Sequence, residues 1–294
     1  MNDFEVWPGP MEGVGRNEFV QAASALQLTS CWMTPFIRIT GSLPSIGKMV
    51  REIRSYLDSG LPTVVQLMGS DPALLGKCAH QIVENFPGIA GINLNCGCPS
   101  NRVVGHDSGG GMLKNPGEIA GFCMKMAEFL PGKKISVKIR SGFAEPGDME
   151  IFLPALAESG SVSKIFFHYR TVKELYSLHA LPEREKRIAR AVELCGSVPL
   201  IANGDISSVA EAREIVRNTG CAGVMIARPW IKDPFLLRRF YEEVPEAAEG
   251  RELFFYPLQQ SGVTGGSLIE IAKMLWGFES ESFRKIISKE KFEK

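Results

Sequence analysis

The sequence carries no net charge: 33 Lys and Arg are matched by 33 Asp and Glu over 294 residues. Without a global basic field nothing in the composition advertises a polyanionic partner, so any nucleic-acid surface has to be local. No stretch offers about 18 uninterrupted apolar residues, and the start, M-N-D-F-E-V-W-P, lacks a basic segment running into an apolar one. No membrane span or export signal is expected, and the chain reads as cytoplasmic. Cysteine pairing is missing too. The seven cysteines are odd in number and, apart from Cys96 and Cys98, lie singly at 31, 78, 123, 195 and 221, a usage suited to a reducing compartment. Tetrahedral zinc needs about four ligands in paired spacing, and no second Cys or His pair answers Cys96-Gly97-Cys98. No metal is expected. What remains is a chain with 45% hydrophobic residues, able to fill the core of one large barrel or two modest domains.

Short apolar or β-branched runs alternate with helical patterns along most of the chain. They predict strands at 4–11, 31–39, 63–69, 91–95, 134–140, 164–169, 199–203 and 222–227. Between them lie helix candidates such as D-P-A-L-L-G-K-C from Asp71, with Asp at the cap and Pro in the first turn, and S-V-A-E-A-R-E-I from Ser208. Eight strand-plus-helix units, apolar enough to be covered on both faces, predict a (β/α)8 TIM barrel over 1–243. A polar break near Glu246 then leads into a short C-terminal helical extension, 244–294, whose last stretch from Arg284 holds five Lys or Arg and two Glu.

Barrel enzymes carry their chemistry where the strands end, and unusual polar residues cluster there. The first strand ends Pro10-Met11-Glu12-Gly13; the third carries Gln66; the fourth ends at Asn95, with Cys98 just beyond. The fifth carries Lys138 and Arg140, the sixth His168 and Arg170, the seventh Asn203-Gly204-Asp205 and the eighth Ala227-Arg228. The last two ends occupy the place where barrels commonly bind phosphate, and Arg228 adds charge-assisted donors. Lys138, in the otherwise apolar S-V-K-I, needs an anionic partner. A reduced flavin ring across the barrel mouth would be one, and an ion pair with Asp205 is the structural alternative.

Together these segments resemble the tRNA-dihydrouridine synthase family: P-M-E-G-V, V-Q-L-M-G, N-L-N-C-G-C-P-S with a glycine-rich loop and L-K-N-P, V-K-I-R-S-G, H-Y-R-T and N-G-D-I. P-M-E-G together with S-G-G-G is most similar to the bacterial C-type subgroup. The resemblance covers residue 10 to about 235 and implies an FMN-binding barrel that uses NADPH to reduce uridines in tRNA. Its implied FMN contacts are Pro10, Met11, Glu12, Gln66, Lys138, His168, Asn203, Gly204, Asp205, Ala227 and Arg228; Asn95, Arg140 and Arg170 are expected to face the substrate. The chain differs from the family's usual H-G-R-T at Tyr169, where an aromatic ring is expected to narrow the uridine pocket. It differs again at Ala227-Arg228-Pro229, where Gly-Arg-Gly is typical.

Cys96 precedes the bend after the fourth strand and is expected to pack; Cys98, on the loop, matches the family's catalytic cysteine. Reducing the C5=C6 bond of uridine takes a hydride at C6 and a proton at C5. A neutral thiol is able to supply that proton. The loop 105–111 is expected to close over the base, its glycines allowing a hinge and close backbone approach. Two other readings stand beside this one: a barrel flavoenzyme acting on a free pyrimidine or small enone, and a non-catalytic RNA-binding homologue. Nothing in the sequence specifies an oligomeric state.

Overall fold

The computed structural model describes residues 3–14, 17–176, 183–260 and 265–292. Nine strands form one parallel sheet: β1 (Glu5–Pro8), β2 (Trp32–Met33), β3 (Ile37–Arg38), β4 (Thr63–Met68), β5 (Gly91–Cys96), β6 (Ile135–Arg140), β7 (Val162–His168), β8 (Leu200–Asn203) and β9 (Gly223–Ile226). Their order is β1-β9-β8-β7-β6-β5-β4-β2, with β3 also paired to β4. The second expected strand is thus split in two. Thr34-Pro35 interrupts it, since proline has no N–H for the ladder. The Thr34 hydroxyl accepts from the Gln66 N–H at 3.0 Å instead and keeps both halves beside β4. Counting β2 and β3 as one, eight strands run round a (β/α)8 barrel.

Helices alternate with the strands: α1 (Asn17–Ala25), α2 (Ile46–Asp58), α3 (Pro72–Asn85), α4 (Asn101–Val104), α5 (Ile119–Ala127), α6 (Met149–Glu158), α7 (Arg184–Cys195), α8 (Val209–Thr219) and α9 (Arg228–Lys232). The cap expected at Asp71 forms, and Ser208 caps as well. Asp71 accepts from the N–H groups of Ala73 and Leu74 ahead of α3, and the Ser208 hydroxyl accepts from Glu211 N–H ahead of α8. Three further helices follow: α10 (Ala247–Gln260), α11 (Gly265–Trp276) and α12 (Glu281–Phe292). Phe254 of α10 is fully buried, its ring centroid 5.2 Å from that of Phe19 on α1. The appended helices therefore share the barrel's hydrophobic core. Side chains beyond Ile286, and with them most of the basic stretch expected at the end, lie outside the described residues.

Strand alternation sorts the residues of β6. Ile135, Val137 and Ile139 belong to the core between sheet and helices, so Ser136, Lys138 and Arg140 point the other way, into the barrel. Register extends this: Asn95 lies beside Lys138, Lys138 beside Phe166, Arg140 beside His168, and His168 beside Asn203. The interior is apolar at mid-height, where Met33, Val64, Phe166, Ile201 and Met225 cluster with Trp7 against them. Towards the C-terminal strand ends it turns polar.

Candidate active site

A ladder of amides crosses the polar part of the interior. Gln66 Nε2 donates to Asn93 Oδ1 at 2.8 Å, Asn93 Nδ2 to the Ser136 hydroxyl at 2.9 Å, and Asn95 Nδ2 to Gln66 Oε1 at 2.8 Å. Buried amides are costly unless bonded, and these satisfy one another. The ladder ends at the cysteine turn. Asn95 Oδ1 accepts from the N–H groups of both Gly97 and Cys98 at 3.0 Å, and Arg140 Nε donates to the Gly97 carbonyl at 2.8 Å.

The glycine-rich segment fixes the same turn from outside. Gly109–Lys114 forms a short 3-10 helix in which Gly109, Gly110 and Gly111 are buried. Gly110 N–H donates to the Cys98 carbonyl at 2.9 Å, and a Cβ added at Gly110 would come within 2.8 Å of that oxygen. Here the glycines serve the expected close approach of backbone to backbone, and Gly109, Gly110 and Gly111 pack as a clamp on the turn. Cys96 is wholly buried, its thiol 3.6 Å from Met112 Sδ. Cys98 is partly exposed. Burial pushes its thiol up, and the Glu12 carboxylate adds to this, against the opposing pull of the Ser100 backbone, Arg140 and Lys138. The net result is a thiol that stays protonated at neutral pH.

Across the mouth the charge is positive. Burial and the Arg140 guanidinium push the Lys138 ammonium down to about 8, and its Nζ donates to Asn203 Oδ1 at 3.2 Å. His168 is buried and held well below its usual value by desolvation and then by Arg140, Lys138, Arg170 and Arg228. It is a neutral imidazole whose Nδ1 accepts from Arg170 N–H at 3.2 Å. The alternative reading, a Lys138–Asp205 ion pair, is not what forms. Asp205 instead pairs with Arg170 and with Arg228, the latter at 3.1 Å, and accepts from the Tyr169 hydroxyl at 2.9 Å.

Of the expected residues, Gln66, Asn95, Lys138, Arg140, His168 and Asn203 converge inside the strand ends. Pro10 and Met11 are partly buried beyond β1, and Glu12 is exposed. Gly204, with φ of +118°, and Asp205 follow β8; Ala227 and Arg228 follow β9. The side chains expected to face the substrate have partners within the fold. Arg170 is buried behind the mouth, paired with Asp205 and stacked 4.8 Å from the Tyr169 ring centroid. Arg140 is buried and donates from Nε to the carbonyl of Gly97 and from Nη1 to those of Thr171 and Leu175. Tyr169 does not narrow the mouth either: it is fully buried beneath Gly204. Sequence reasoning missed Asn93, which links Gln66 to Ser136, and Tyr176. The Tyr176 ring is about half exposed and lies 5.2 Å from the Arg140 guanidinium and 4.5 Å from that of Arg228. The one available signal was an aromatic residue on the loop after the strand that carries His168.

Among the described residues no group of three His, Cys, Asp or Glu could hold a metal ion, and no helix is long and apolar enough to cross a membrane. Residues 8–258 match the model of the dihydrouridine synthase family. The chain is 36% identical over 213 residues to a tRNA-dihydrouridine(16) synthase of Cupriavidus necator, covering 70% of this chain and 64% of that one. It is 34% identical over 236 residues to the protein of the same name from Ralstonia nicotianae, covering 78% and 70%. A probable tRNA-dihydrouridine synthase of Rhodobacter capsulatus is 32% identical over 207 residues, covering 68% and 61%. The chain thus spans between 61% and 70% of these relatives' lengths.

Proposed function

We propose, from the premise that the chain belongs to the dihydrouridine synthase family, that it reduces the C5=C6 bond of uridine in tRNA, with FMN as cofactor and NADPH as reductant. Several relatives are named for position 16, and that is the uridine we assign to it. The donor set fits a flavin: Gln66, Lys138 and Asn203 turn amide and ammonium groups into the barrel mouth. Lys138, Arg140, Arg170 and Arg228 all lie within electrostatic reach of His168, with Asp205 paired to Arg170 and Arg228 and Glu12 near Cys98 as the carboxylates. Such a mouth is short of negative charge, as the site for an anionic ring and phosphate has to be.

The observation that carries the reading is the pairing of this cationic wall with one partly exposed, protonated thiol. When bound and reduced, the flavin would supply hydride to C6. The chain's own residues do the rest. Lys138 balances negative charge beside the ring; the neutral His168 adds no further positive charge; and the Asn95, Gly110 and Arg140 contacts hold Cys98 so that its thiol gives a proton to C5. The half-exposed Tyr176 ring offers a flat aromatic surface at the mouth on which a base flipped out of its stack can lie. The deciding experiment incubates the purified protein with FMN, NADPH and unmodified tRNA and measures dihydrouridine, with free uridine in parallel. Product at position 16 of the tRNA alone is expected. Reduction of free uridine, with tRNA untouched, would replace this reading with that of a small-molecule flavoenzyme.

A further inference from the structure

Tyr169 stands where the family usually has glycine, and the structure gives its side chain a definite set of partners. The ring is fully buried against Gly204, where a Cβ would come within 2.6 Å of it. The hydroxyl donates to Asp205 Oδ2 at 2.9 Å, an oxygen shared with Arg170. The other oxygen, Oδ1, accepts from Arg228 Nη2 at 3.1 Å. The Asp205 backbone is in the left-handed region, with φ of +49°, and its carbonyl accepts from Arg184 Nη1 at 3.1 Å. Asp205 is therefore held at its backbone and at both carboxylate oxygens.

Arg228 is far less constrained, with 55% of its side chain exposed. A guanidinium on so long a stem has many rotamers to lose before it can serve a ligand. The Asp205 carboxylate and the Tyr176 ring, 4.5 Å away, are what hold it. One carboxylate between two guanidiniums leaves a positive charge in excess, and Asp205 takes only one of the five N–H donors of Arg228. Arg228 is thus oriented rather than quenched. The other departure from the family bears on the same point: Pro229 has no N–H to offer an anion at this strand end, so the side chain of Arg228 matters more here than where glycine follows the arginine.

We propose that Tyr169 is a positioning residue: through Asp205 it holds Arg228 in place for the phosphate of the bound flavin. This rests on the flavin reading above and extends it to a residue that the ligand does not touch.

The test compares FMN with riboflavin, which lacks the phosphate, by fluorescence titration of the full chain after its flavin is removed. The unsubstituted protein is expected to prefer FMN. Tyr169→Phe keeps the buried ring and should lower FMN affinity roughly 3–10-fold, the size of one ordinary hydrogen bond, with riboflavin affinity unchanged. A merely structural role would weaken both flavins alike. In an Arg228→Ala background the effect of Tyr169→Phe should vanish, because the residues act in series. Equal losses for both flavins, no loss, or an undiminished loss without Arg228 would each overturn the proposal. Should Tyr169→Phe fail to fold, Asp205→Asn gives a second route. It should also reduce the preference for FMN, whereas a gain would mean that Asp205 quenches Arg228 and would overturn the idea. If the unsubstituted protein binds neither flavin, the flavin reading falls and this inference with it; if it binds both and Tyr169→Phe discriminates as before, this inference alone falls.

Discussion

Cys96 and Cys98 are two residues apart and chemically unlike. Cys96 ends β5 in the core beside Met112, where burial raises its thiol far above the ordinary value. Cys98 is partly exposed beside Glu12, Lys138 and Arg140. Cys98→Ala is expected to leave flavin binding and its reduction by NADPH near normal. Single-turnover oxidation of the reduced protein by tRNA should slow by about 10²–10⁴-fold, the usual share of a positioned general acid. Cys96→Ala should cost stability through the cavity it leaves, with that turnover step retained. Lys138 gives a pH prediction. Its folded value of about 8 lies below the roughly 10.4 of an unfolded chain, so the unfolded state holds the extra proton between the two. Without a ligand, stability should therefore rise with pH through that window. An anion at the mouth reverses the preference by raising the Lys138 value. FMN affinity should be fully present below about pH 8 and should weaken above it, and Lys138→Met should flatten that dependence in titrations across the range. A profile unchanged by the substitution would remove Lys138 from the site.

At the scale of elements, the turn after β5 is held by its neighbours on two sides. Asn95 caps it from within the barrel, and the 3-10 helix Gly109–Lys114 closes on it from outside. Gly110 has no room for a side chain: an added Cβ would meet the Cys98 carbonyl and Val172 Cγ2, each at 2.8 Å. Gly110→Ala is expected to cost about 1–3 kcal/mol by overpacking, read in denaturant unfolding, and to displace the cysteine it contacts. Gly117→Ala, in the same stretch but with nothing within 4 Å, should change stability by no more than about 0.5 kcal/mol. Equal costs at the two positions would show that the close approach is not what fixes Gly110. Two of the helix starts were legible in the sequence because their caps are local. The split between β2 and β3 was not read: Pro35 signals the break, but only the neighbouring β4 shows how Thr34 spans it.

For the whole molecule, neutrality means that any hold on tRNA is regional. The mouth supplies one cationic region. The end of the chain supplies a second, with five Lys or Arg against two Glu from Arg284 onward. Lys285 is already paired with Glu281 at 2.9 Å on the exposed surface of α12, a contact that competes weakly with phosphate. Reversing the charges of Arg284, Lys289 and Lys291 should weaken tRNA binding and lower the slope of affinity against salt, with flavin content unaltered. Identical affinity at every salt concentration would move the RNA surface to the mouth alone.

The barrel could be read from the chain because apolar strand runs followed by helical patterns are short-range signals, repeated eight times. The family could be read because its motifs are contiguous strings. Such patterns bring Gln66, Asn95, Lys138, His168 and Asn203 to one end of the barrel without saying what each touches. That depended on tertiary structure. It buried Arg170 and Tyr169 behind Asp205, set Arg140 Nε and Nη1 on three carbonyls, packed the glycine-rich loop against the cysteine turn and brought Tyr176 to the mouth. The physical reason is that partners of a buried charge are chosen by proximity in the fold, from residues tens of positions apart, and a one-dimensional pattern does not record that distance.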